Sequence, residues 1–224
     1  MTEKTLQADA TRSGGRMPRR AGRRRLLVLA PHPFFQNRGT PIDVDLLLRV
    51  LSSRGDLAID LLVYGEGQER SYPNVRLYRT PLNRFTRGVR PGFSPRKILT
   101  DVFFLAQAWT LVHQHRYDLI HAGEEAAFMA RLFQALYGIP YIYDLDSSVA
   151  QQVVEKHDWL RPAAPLFDRL EARVIRDAMA AAPVCNALAD LCRRAGARCV
   201  ATLHDISQLR DPRGAAGGRL RRET

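Results

Sequence analysis

Lysine is scarce in this chain: only three of its 34 Lys and Arg residues are Lys. Such a bias reads as an Arg-rich coding preference rather than as selection for bidentate phosphate contacts. Cysteine is scarce too. Cys185, Cys192 and Cys199 are odd in number and have no His at ligand spacing, which argues against a disulfide framework and a zinc site. They read as small buried residues, and no metal is expected. No apolar run approaches the roughly 20 residues that span a bilayer, so the chain is not expected to be integral to a membrane. The Arg-rich lead is followed only by LLVLA before Pro31, against the roughly 7 to 15 apolar residues of a secretory signal core. The expected location is the cytoplasm, with peripheral contact at the inner face of the membrane as its variant. A dinucleotide fingerprint is also missing, since the loop after the first apolar run, PHPFFQNRGTP, holds a single Gly. A nicotinamide or flavin cofactor is therefore not expected.

What is present begins with charge. The net +11 is concentrated at the ends: residues 1–25 hold eight bases against two acids and residues 210–224 five against two, leaving residues 26–209 near neutral. A folded nucleic-acid binder carries its basic face on the domain itself, so no nucleic-acid partner is expected. Both ends lack a core-forming pattern and read as disordered. The expected division is a basic tail over 1–24, one domain over 25–209 and a second tail over 210–224. The functional alternative for the first tail is that its Arg cluster rests on anionic lipid, at about 1 kcal/mol per basic residue.

The stretch YDLIHAGEEAAFMARLFQALYGIPYIYDLDSS, residues 117–148, contains a complete strand, helix, strand unit. Residues 118–121 and 140–143 are apolar runs, residues 124–137 have helical spacing, and Gly138 stops the helix. The same alternation fills the rest of the domain. Strands are expected at 25–30, 58–64, 75–78, 182–185 and 198–203, and helices at 42–53, 95–115, 149–159, 162–180 and 187–195. Helix 95–115 is expected to turn Ile98, Val102, Leu105, Trp109 and Val112 inward. Helix 162–180 is expected to bury a stripe of Leu166, Leu170, Val174 and Ile175. The whole predicts an α/β fold, a Rossmann-like, doubly wound and mainly parallel sheet with helices on both faces.

In such a sheet the polar residues just past the strand ends line the ligand crevice, here His121, Glu124, Glu125, Asp144, Asp146 and Ser147. The first loop, with Arg38, Gly39 and Thr40 before a helix, could hold phosphate or carboxylate or be a plain connector. GEGQERSYPN, residues 65–74, reads as a solvated turn region. Residues 80–100 contain no acid, while Arg84, Arg87, Arg90, Arg96 and Lys97 are interleaved with Phe85 and Phe93. Arg84, Phe85, Arg87 and Arg90 could meet a membrane headgroup layer or an anionic acceptor, or form a solvated loop.

LLVLAPHPFFQNRGTPIDVDLLLRVLSSRG, residues 117–148 and LEARVIRDAMAAAPVCNALADLCRRAGA together resemble successive segments of the N-terminal domain of family 4 glycosyltransferases. The likeness covers nearly all of 26–205 and is firmest at RGTP, DLIH and GIPYIYD. It implies one half of a GT-B fold, a retaining transferase whose two Rossmann-like domains face each other across a cleft. By that likeness Arg38, Gly39 and Thr40 approach the donor diphosphate, and His121 hydrogen-bonds a sugar hydroxyl or the developing charge, unless it is a structural His. Asp144, Asp146 and Ser147 lie on the acceptor side. No cofactor is implied, since the nucleotide sugar is a co-substrate.

The sequence departs from the family pattern in places. Gly123 stands where members often have a second His, and Arg38 and Gly39 stand in place of a glycine pair. The donor-binding domain, with two glutamates spaced ExxxxxxxE, is not found in these 224 residues. The expected partners are thus a sugar or lipid-linked acceptor, a nucleotide sugar if a second domain is supplied, and a partner chain carrying that domain. The alternative is a non-enzymatic acceptor-binding or membrane-surface module, or an inert truncated fragment.

Overall fold

The computed structural model describes residues 23–35, 39–83, 86–89, 94–156 and 158–204. Residues 1–22 of the first expected tail, the second expected tail, Arg38, Arg84, Phe85, Arg90 and Phe93 lie outside the described residues, while Arg24 already belongs to the first strand. Six parallel strands form one sheet in the order β3-β2-β1-β4-β5-β6. They are β1 (Arg24–Pro33), β2 (Leu57–Tyr64), β3 (Val75–Arg79), β4 (Leu119–Gly123), β5 (Tyr141–Leu145) and β6 (Ala180–Pro183). The helices are α1 (Gly39–Ser52), α2 (Pro95–Gln114), α3 (Ala126–Tyr137), α4 (Val149–Lys156), α5 (Ala164–Asp177) and α6 (Asn186–Arg194). This is the Rossmann-like α/β fold expected. The central strands are continuous apolar runs because both sheet faces are covered there.

The two faces have separate cores. Val28, Ala30 and Ile59 pack against Val44 and Leu48 of α1. Leu27, Leu29 and Leu62 pack on the other side with Phe104, Ala108 and Leu111 of α2, Ala130 and Phe133 of α3, and Val174 and Ile175 of α5. The chain changes direction between β1 and β4, which are neighbours although far apart in sequence, and a crevice opens there beyond the carboxyl ends of the strands.

Four expectations are corrected. Helix α2 is rotated: Ile98, Val102 and Trp109 are 45%, 58% and 37% exposed, and Lys97, Thr100, Phe104, Ala108 and Leu111 are buried instead. In α5, Leu166 and Leu170 are exposed while Glu171 is 3% exposed. Only Cys192 of the three cysteines is buried, Cys185 being intermediate and Cys199 exposed. The run 198–203 makes a single parallel bridge, Val200 to Ala181, rather than a full strand.

Segment 65–74 is also not a free turn but a strap across the end of β1. Phe35 and Gln68 exchange backbone hydrogen bonds. Arg70 stacks 3.7 Å over the Phe35 ring and donates to the buried Asp45 of α1, as does the Tyr72 hydroxyl. Burial pushes the Asp45 carboxyl up, but these bonds and the Arg49 and Arg70 charges outweigh it and leave Asp45 below its ordinary value. Arg79 donates to the carbonyls of Phe34, Glu66 and Gln68. Gly67, at φ +115°, lies so close to the Phe34 carbonyl that a Cβ would overlap it, so the strap needs glycine there.

Candidate functional site

The crevice is built from strand ends and two helix starts. Residues paired across a parallel ladder share a face, and so do alternate residues along a strand. Val28 pairs with His121, His121 with Ile142, and Gly123 with Asp144, so His121 and Asp144 emerge together on the α1 face. Their contact is direct: His121 Nε2 lies 2.9 Å from Asp144 Oδ2, with His121 6% exposed. A His held this way has its ring orientation set by the carboxylate.

Thr40, in the first turn of α1, donates from Oγ1 to Glu124 Oε1 at 3.4 Å. Glu124 turns toward it from a left-handed backbone, φ +47°. Few residues without a short polar side chain adopt that conformation, and such strain concentrates at functional sites. Burial holds the Glu124 carboxyl above its ordinary range; Lys97 and the Thr40 hydroxyl oppose the shift, and Asp101 and Asp144 reinforce it.

Asp146 follows β5. Burial, and then the charge of Asp144, push it up to about 7. Its Oδ1 is buried without a hydrogen-bond partner. Ser147 faces the next helix, accepting from Gln152 Nε2. The loop is clamped from behind by Glu171 of α5, which accepts from the Val149 N–H at 2.7 Å and the Ser148 hydroxyl at 2.5 Å.

The far wall comes from α2. Lys97 pairs with Glu125 and lies 3.5 Å from Asp101, and its ammonium donates to the Tyr64 hydroxyl at 3.0 Å. Tyr64 in turn donates to Asp101. Burial raises the Asp101 carboxyl, and Lys97 opposes that shift.

The structure therefore gathers Thr40, His121, Glu124, Glu125, Asp144 and Asp146 in one place. Gly39 stands at the start of α1, where an added Cβ would meet nothing within 4 Å among the described residues. Ser147 is adjacent but turned to Gln152. Arg87 is exposed in a turn of residues 86–88. Lys97 was read with the surface cations and instead faces inward, 8% exposed. Sequence reasoning missed Lys97, Asp101 and Tyr64 as parts of the site, and it missed His32. The signal for His32 was available: it lies near the end of β1 as His121 lies in β4. Among the described residues, no group of three or more His, Cys, Asp or Glu is placed to hold a metal ion, and no helix is long and apolar enough to cross a membrane.

The polar cluster stands at the switch point of a Rossmann-like sheet, where folds of this class hold their ligands. The family described as "Glycosyl transferase 4-like domain" matches residues 36–204, and the chain belongs to that family. Among solved structures it resembles sucrose-phosphate synthase from Thermosynechococcus elongatus, at 15% identity and TM-score 0.59, over 81% of this chain and 48% of the other. It also resembles a UGT transferase from Siraitia grosvenorii solved in complex with UDP, at 10% identity and TM-score 0.50, over 80% of this chain and 50% of the other. The chain spans about half the length of these structures, and it has the fold of one half of a GT-B glycosyltransferase. No curated protein sequence matches it.

Proposed function

We propose that the crevice binds the hydroxyl-bearing acceptor of a sugar transfer, and that a second domain, on this or another polypeptide, supplies the nucleotide-sugar site. The observation that carries this reading is the chemistry of the crevice. Glu124, Asp144 and Asp146 present carboxyl oxygens beside Thr40 and His121, while the ammonium of Lys97 pairs with Glu125. Carboxyl oxygens accept from sugar hydroxyls and repel phosphate, so these walls suit a neutral polyol better than a diphosphate. Family membership over residues 36–204 supports the sugar reading. The donor diphosphate would instead meet the outer edge at Gly39 and Thr40, at the N-terminal end of α1, whose first turn has no acid.

His121 is the acceptor-side residue whose orientation Asp144 sets. A cleft with one wall offers binding without the preorganised second wall that transfer needs. The purified chain alone is thus expected to move no labelled sugar from UDP- or GDP-sugars to glycosides, and a co-expressed donor-binding domain to restore transfer. Rapid transfer by the chain alone contradicts the two-domain reading.

A second reading, a membrane-surface contact, is favoured by one observation. Ile98, Leu99 and Val102 are exposed at the start of α2 beside the exposed Arg96, in a segment without acids from 80 to 100. Apolar side chains next to cations fit the headgroup layer of an anionic bilayer, and the acceptor would then be lipid-linked. Binding to phosphatidylglycerol vesicles that weakens with salt and with Val102→Asp supports it; no binding at low salt removes it.

A further inference from the structure

We propose that His32 and Asp146 are substrate-binding residues that hydrogen-bond hydroxyls of the acceptor from either side of the His121–Asp144 pair. This rests on the acceptor reading above. His32 is 9% exposed, yet among the described residues neither ring nitrogen has a partner in good hydrogen-bond geometry, the Pro33 backbone only lying close enough to act on the ring. Asp146 Oδ1 is buried in the same condition. Native structures leave few buried polar atoms unpaired, and those that remain need an explanation such as a ligand.

The placement of the two supplies one. His32 follows Ala30 at the carboxyl end of β1, where the ladder to β2 shifts register between Ala30 and Pro33, and Asp146 lies two residues beyond Asp144, just past β5. Strand β4, with His121, runs between β1 and β5. His32 is close enough to Lys97 and Asp144 to feel both charges, and Asp146 to feel Asp144 and Glu124. The unpaired atoms thus flank the polar cluster instead of lying scattered through the core.

The protonation states fit a hydroxyl ligand. Burial, with the Lys97 charge, lowers His32 to about 4, so its imidazole is neutral near pH 7 and has one nitrogen to donate and one to accept. Asp146, pushed up to about 7, is half protonated there and can likewise do either. A sugar hydroxyl needs both kinds of partner.

The test uses the full chain labelled with 13C and 15N in His, titrated with methyl glycosides of glucose, mannose and N-acetylglucosamine while the imidazole signals are followed. A saturating shift of the His32 ring with one of these, together with a roughly tenfold weaker affinity in His32→Ala and in Asp146→Ala, is the expected result. His32→Asn, which keeps a donor and an acceptor, should recover part of the loss. If a glycoside shifts His121 in saturating fashion and leaves His32 unmoved, the acceptor reading stands and the role of His32 falls. If no glycoside moves either ring, both fall. Should the Ala variants fail to fold, the wild-type shifts alone decide between these outcomes.

Discussion

The Lys97 ammonium pairs with the Glu125 carboxylate across the floor of the crevice, joining the first turn of α2 to the residue that precedes α3. With Tyr64 and Asp101 it forms one connected polar group, 10% exposed at Lys97 and 19% at Asp101. Removing the ammonium alone leaves the partly buried Asp101 and Glu125 carboxyls without their cation. Lys97→Met is expected to lower stability by about 3 to 5 kcal/mol, and Lys97→Met with Glu125→Leu to recover much of that loss, as read by urea unfolding. A Lys97→Met change within the error of unfolding would contradict the burial of this pair.

His32 and Asp146 oppose each other in their pH dependence. His32 titrates near 4 in the folded chain against an ordinary 6.5, so between these values the unfolded chain binds the extra proton and stability is lost as pH falls. Asp146 titrates near 7 against an ordinary 3.8, so the folded chain binds the extra proton in that window and stability is lost as pH rises. His32 is worth about 3 kcal/mol and Asp146 about 4 kcal/mol with opposite signs, which predicts little net slope from this pair between pH 4 and 6.5. Relative to wild type, His32→Asn should add a decline in stability with rising pH, and Asp146→Asn a rise. Parallel melting-temperature profiles for all three chains would contradict the assignment.

Glu171 holds the loop that carries Asp146. It accepts from Ser148 and the Val149 N–H, and Tyr143 donates to it at 3.5 Å. Glu171→Ala leaves these donors buried without a partner and is expected to cost about 3 kcal/mol. Glu171→Gln keeps an acceptor oxygen and should cost less. Equal losses in the two variants would show that packing, not hydrogen bonding, makes the clamp.

The strand and helix alternation was legible because it rests on periodicity and on stops such as Gly138, which are local signals. Helix orientation was not. Helix α2 offers two apolar stripes, and the one through Phe104, Ala108 and Leu111 is buried, with Lys97 and Thr100 in line with it at its start. Thr100 can be buried because its hydroxyl donates to the Arg96 carbonyl, and Lys97 because carboxylates meet it. Neither partner is visible in a hydrophobic pattern. The burial of Glu171 was not legible for the same reason, as its donors come from residues more than twenty positions away.

The crevice residues His121, Glu124, Asp144 and Asp146 were legible from the rule that ligands gather beyond the carboxyl ends of parallel strands. Lys97 and Asp101 lie on a helix that enters from the other side of the sheet, where that rule is silent. The strap of residues 65–74 was misread because its polar composition resembles that of a turn, while Arg70 and Tyr72 use their polarity to reach the buried Asp45.

The most direct measurement of the central claim is amide chemical-shift titration of the 15N-labelled full chain, with methyl glycosides in one series and UDP-glucose in another. The account predicts that a glycoside shifts Thr40, His121, Asp144 and Asp146 together along one saturating curve, while UDP-glucose fails to saturate over the same range. Saturation of those amides by UDP-glucose at lower concentration than any glycoside, or no response to either, would contradict it.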